Sequence, residues 1–109
     1  MADVTLPPEV QAVVDAINES DTEAFVDAFA ADGKIDDWGR VLSGSDGVRS
    51  WAATDAIGQN ARIDVVETSI DGDTTHIVFD WSSNRFNGRS EAYVTVAAGK
   101  VTEFRIPAH

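Results

Sequence analysis

The chain has 109 residues and 43% hydrophobic content, a size and composition that suit one domain with a modest core. Its formal charge of −11 repels phosphate backbones and anionic lipids, which argues against a nucleic-acid or membrane partner. It has no cysteine, which excludes disulfides, thiolate metal sites and a cysteine nucleophile.

The opening MADVTLPPEV lacks a basic stretch followed by an apolar one, so no signal peptide is predicted and a cytoplasmic protein is expected. Residues 1–6 read as a flexible tail. Pro7 and Pro8 suit the first turn of a helix, and Val10, Val13, Val14 and Ile17 then fall on one stripe. Ser20 and Glu23 have the spacing of a capping box and open a second helix. That helix would bury Phe25, Val26 and Phe29 and end at Asp32-Gly33.

The stretch KIDDWGR follows, with short strands predicted near 34–37 and 40–42. Side chains alternate faces along a strand, so one of the adjacent Asp36 and Asp37 faces inward. SGSDG leads into a third helix capped by Ser43 or Ser45. Val48, Trp51, Ala52 and Asp55 share its inner face, and Ile57-Gly58 closes it. Beyond Ala61 the period changes to two. Four strands are expected at 61–70, 74–83, 89–97 and 100–106, with turns at Asp71-Gly72, Asn87-Gly88 and Ala98-Gly99. On the second of these, Ile77, Phe79 and Trp81 share one face, and His76, Val78 and Asp80 the other.

Helices first and an antiparallel meander afterwards define an α+β fold of three N-terminal helices on a curved, mostly antiparallel sheet, a cone-shaped, cystatin-like roll with a cavity at its mouth. The chain resembles the nuclear transport factor 2-like superfamily, which includes ketosteroid isomerase, the SnoaL-type polyketide cyclases and limonene epoxide hydrolase. The stretches that carry the resemblance are AINESDTEAFVDAFAADGKIDDWG, SGSDGVRSW and GKVTEFRI. It implies that Asp37 occupies the position of the isomerases' proton-shuttling aspartate. Val13 stands where those enzymes have a tyrosine donor, and Glu91 or Tyr93 falls near their second donor. Arg62-Ile63-Asp64 has the R-x-D spacing of the epoxide hydrolases, but on the first long strand, and the last strand has no aspartate. The resemblance also implies a homodimer through the outer sheet face, with His76, Val78 and Asp80 at the interface.

Asp37 is thus the candidate catalytic base. A carboxylate in an apolar pocket becomes a useful base near neutral pH; the structural alternative is an acid paired with Arg40. Trp38, Trp51, Asp55, Phe79, Trp81 and Tyr93 are the candidate ligand-binding residues. Asn84, Arg85, Phe86 and Asn87 either rim the cavity or simply make a turn. His76 and Asp80 lie roughly 13 Å apart on a strand, too far to share a metal, and no metal or cofactor is implied. The functional reading is a protein that binds a small apolar molecule and acts as an isomerase or cyclase through Asp37. The alternative is a non-catalytic binding or dimerisation module.

Overall fold

The computed structural model describes residues 5–108. Three α-helices, α1 (Pro8–Asn18), α2 (Thr22–Asp27) and α3 (Gly44–Asp55), accompany six strands. These are β1 (Phe29–Asp37), β2 (Arg40–Ser43), β3 (Arg62–Asp71), β4 (Thr74–Ser82), β5 (Asn87–Ala97) and β6 (Lys100–Ile106), with a 3-10 turn at Ile57–Gln59. The strands make one sheet in the order β2-β1-β6-β5-β4-β3. β3 to β6 form the expected antiparallel meander, and β1 joins it by pairing parallel to β6. No helix among the described residues is long and apolar enough to cross a membrane.

The core follows the periodicities. Val10, Val13, Val14 and Ile17 of α1 and Val48, Trp51 and Ala52 of α3 are buried against Ile77, Phe79, Trp81, Ala92, Val94, Val101 and Phe104 of the sheet. Asn18, at the end of α1, clasps β3 with both ends of its amide: Nδ2 donates to the Ile63 carbonyl at 2.9 Å, and Oδ1 accepts from the Ile63 amide at 2.8 Å.

The N-terminal half departs from the sequence expectations in several places. The tail expected over 1–6 falls mostly outside the described residues, but Leu6 packs on the core. The cap of α2 is Asp21, whose Oδ1 accepts from the Ala24 amide at 3.1 Å; Ser20 has φ 56° and makes the turn instead. Glu23 is drawn away to Arg49 on α3, so no capping box forms. α2 ends at Asp27, and Phe29 is already paired to Val101. Between Phe29 and Lys34 the strand advances five residues while β6 advances two, from Val101 to Glu103. Residues 30–33 are that bulge, and Gly33 is needed there because a Cβ would sit 2.9 Å from the Val101 carbonyl oxygen. Asp32-Gly33, read as a helix stop, is a strand irregularity. Asn87-Gly88 also lies inside a strand, paired to Ser82 and Trp81, and the connection is made by residues 83–86.

Two exposed ion pairs set an acid-side dependence of stability. The hydrogen bond from Arg89, aided by its charge, holds the Asp80 carboxyl below its ordinary 3.8, and Arg49 holds Glu23 below 4.5 in the same way. A depressed native pKa contributes stability that is complete above the unfolded value and lost as pH falls through the native one. We therefore expect a small decline in the urea midpoint below about pH 4.5 that the double variant Glu23→Gln/Asp80→Asn partly removes. An unchanged acid limb in that variant would assign the decline to other carboxylates.

Candidate functional site

The β1–β2 hairpin builds one side of a cavity. Trp38 (φ 57°) and Gly39 (φ 90°) carry the two positive φ angles of a two-residue type I′ turn. A tryptophan in that conformation costs roughly 1–3 kcal/mol, so its surroundings must hold it there. The Trp38 amide donates to the Ile106 carbonyl at 3.0 Å, which extends the β1–β6 ladder past the turn. Asp36 Oδ1 accepts from the Gly39 amide at 2.9 Å and pins the turn from the outer face. Asp36 is thereby spent on structure. Asp37, in step with the buried Ile35, faces inward.

Asp37 lies beside the last turns of α3. Its Oδ2 accepts from Trp51 Nε1 at 3.1 Å and lies 3.6 Å from Arg40 Nη2. The same Arg40 nitrogen donates to Asp55 Oδ2 at 2.8 Å, so one guanidinium serves two carboxylates. Each acid's side chain keeps 22% of its surface exposed, while that of Arg40 keeps 54%. Asp55 is the last residue of α3, the end of the helix dipole that disfavours an anion, and no basic residue shares that turn. Arg40, across on the hairpin, supplies the missing positive charge.

These groups open onto a cavity of about 330 Å³. Asp37, Trp38, Trp51, Asp55, Phe79, Trp81, Phe86, Ser90 and Ile106 line it. Trp51 forms the floor: it is 2% exposed, and its ring centroid lies 6.2 Å from that of Trp81 and 6.1 Å from that of Phe104. Trp38 and Phe86, 54% and 50% exposed, stand at the rim. The size falls at the lower end of the range in which small-molecule sites are found.

The structure thus brings Asp37, Trp38, Trp51, Asp55, Phe79 and Trp81 together in one cavity wall. Tyr93 does not join them. It is out of step with the buried Ala92 and Val94 and projects from the other sheet face, where it stacks on His76 at 4.7 Å and lies 4.8 Å under the Arg105 guanidinium. Glu91, on that same face, pairs with His76 at 2.7 Å. Neither of the two positions considered for a second donor reaches the cavity. Arg62 and Asp64 are exposed on β3, away from it, and Val13 is fully buried in the core. Ser90 and Ile106 also line the cavity without belonging to any motif. Strand parity marks both, since Ser90 is in step with Ala92 and Ile106 with Phe104.

Solved structures share this architecture. A candidate polyketide cyclase from Sinorhizobium meliloti is 26% identical over 93% of this chain and 94% of its own, with a TM-score of 0.82. A Mycobacterium tuberculosis protein solved in complex with estradiol-17β-hemisuccinate is 19% identical over 93% and 91%, with a TM-score of 0.82. The Δ5-3-ketosteroid isomerase of a Mycobacterium species is 15% identical over 93% and 90%, with a TM-score of 0.81. No protein-family model and no curated protein sequence matches the chain. The chain has the nuclear transport factor 2-like fold, and its structural neighbours are polyketide cyclase-like, ketosteroid isomerase-like and other proteins of that fold.

The contact between Trp51 and Asp37 is testable without a ligand. Trp51→Phe removes the Nε1 donor and keeps most of the ring. The loss in urea unfolding should exceed about 1.5 kcal/mol, the size of a bond to a partly exposed charged acceptor, because ring atoms also leave the core. A double-mutant cycle with Asp37→Ala should return that bond as the coupling. A coupling within error of zero would mean that solvent replaces the bond in full.

Proposed function

We propose that this chain is a small-molecule-binding protein whose ligand sits in the aromatic cavity, its apolar body against the rings and its polar group at Asp37. The observation that supports this best is the convergence of three tryptophans, two phenylalanines and an inward carboxylate on one cavity of about 330 Å³. Its neighbours include a protein solved with a steroid ester and a ketosteroid isomerase. On a carbonyl-bearing ligand, Asp37 is placed to act as a general base. Both of its polar contacts fall on Oδ2, which leaves the lone pairs of Oδ1 for a substrate proton. A second polar group is available in Ser90 on β5, two interstrand spacings or roughly 10 Å across the sheet from β1. The competing reading is binding without turnover. It is favoured by the Arg40 guanidinium beside Asp37 and by the lack of a tyrosine donor at Val13.

Two measurements separate these readings. Titration with 2-naphthol, a flat enolate mimic, should quench tryptophan fluorescence saturably, because all three tryptophans line the cavity. With 2-tetralone in D2O, proton exchange next to the carbonyl should run faster than background, and Asp37→Asn should slow it by roughly 10²–10⁴-fold. Binding with background exchange would leave the non-catalytic module as the function.

We also infer a symmetric dimer through the outer sheet face. His76, Val78, Glu91, Tyr93 and Arg105 are only partly exposed there and include both charge signs, as a self-complementary two-fold contact requires. Light scattering at tens of micromolar should give twice the chain mass, and Tyr93→Asp should halve it. A monomeric wild type would sink this assembly.

A further inference from the structure

The charge of the cavity carries the reading further and rests on that cavity being a ligand site. We propose that the ligand is an organic cation, an apolar body bearing a protonated amine, and that the cavity excludes carboxylates of the same shape.

Four observations converge. Among the described residues the lining contains two carboxylates, Asp37 and Asp55, and no basic side chain. Arg40, the guanidinium that touches them, is shared by both and 54% exposed, so these three groups together keep one net formal negative charge. Asp55 and Trp51 sit at the C-terminal end of α3, so the partial negative charge of that helix end falls on the same wall. No described residue donates to Asp37 Oδ1, and the Trp51 Nε1 donor beside it is used on Oδ2. The site therefore offers an open carboxylate acceptor to a ligand donor.

The rest of the lining suits a cation equally well. Ring faces attract positive charge through their quadrupole, most strongly when the cation is shielded from water. Arg85, on the 83–86 connection, donates to the Thr54 carbonyl at 3.5 Å and offsets part of the negative charge of that helix end, but it lies outside the lining. At longer range the −11 charge of the chain draws cations and repels anions before contact. A carboxylate ligand would have to compete with two aspartates for Arg40. An ammonium meets an open carboxylate oxygen and aromatic faces.

The test compares three probes on one ring system: 2-naphthylmethylammonium, 2-naphthylmethanol and 2-naphthoate, each titrated at pH 7 by tryptophan fluorescence and calorimetry. The ammonium should bind at least about tenfold more tightly than the alcohol, with naphthoate weakest, and added salt should narrow the gap. Asp37→Asn and Asp55→Asn, both near-isosteric, should each bring the ammonium-to-alcohol ratio towards one. A preference that both variants keep would overturn the assignment to these carboxylates. An alcohol that equals the ammonium, or a naphthoate that exceeds it, would overturn the cation and leave the cavity as a ligand site. Failure of all three probes and of 2-naphthol would remove the ligand site itself and the cation with it.

Discussion

Trp51 is the side chain on which core and cavity both depend. Its ring lies 5.9 Å from Phe25 on α2, 6.2 Å from Trp81 on β4 and 6.1 Å from Phe104 on β6, so α3 is fastened to a second helix and to the middle of the sheet through one residue. Burying an indole so fully normally requires a partner for its N–H. The partner is Asp37, which carries the constraint outwards: the group that satisfies the core's largest ring is the same carboxylate that faces the cavity. Core packing and the placement of the acid are therefore one problem, with α3 and β1 as its two supports.

The hairpin solves the other half. Asp37 and Arg40 are register partners across a two-residue turn, so their side chains emerge on one face. The turn demands positive φ at both central positions, and the first is Trp38, not glycine. The contacts that hold it include the Asp36 carboxylate on the Gly39 amide, the Trp38 amide on Ile106, and the β1–β6 ladder itself. A smaller or more permissive residue at 38 would relax the turn but remove a ring from the rim. The sequence accepts a local backbone cost where it also gains a cavity wall, a pattern common at ligand sites.

Much of this was legible because the relevant periods are short. Helical spacing put Trp51 and Asp55 on one face of α3, and strand parity put Phe79 and Trp81 together on β4. Hairpin chemistry marked Asp71-Gly72 and Ala98-Gly99. The failures came where a local signal met a tertiary contact. Ser20-x-x-Glu23 has the form of a capping box, but Glu23 answers to Arg49, 26 residues away. Asp32-Gly33 looks like a helix stop because a glycine after a helical run usually is one; here the glycine relieves a clash with Val101, visible only once β6 is in place. Tyr93 was a matter of register: the strand was expected, but which of its faces met the core depended on Ala92 and Val94 being the buried pair.

The Asp37–Arg40–Asp55 cluster could not have been read as a unit, because it joins two ends of a hairpin to the end of a helix 15 residues beyond. Its logic is electrostatic. An aspartate closing a helix is unfavourable by about 0.3–1 kcal/mol at an exposed site, and a basic residue in the same turn would relieve it. This chain takes the compensating charge from outside the helix: Arg85 donates to the Thr54 carbonyl, and Arg40 of β2 pairs with Asp55 but is divided with a second acid. Had Arg40 served Asp55 alone, the helix end would be balanced and Asp37 would stand unpaired beneath Trp38. Because it serves both, neither acid is fully neutralised. The wall keeps a negative bias held by the backbone of three elements, and that bias, together with the aromatic faces, is what distinguishes this cavity from a plain apolar one.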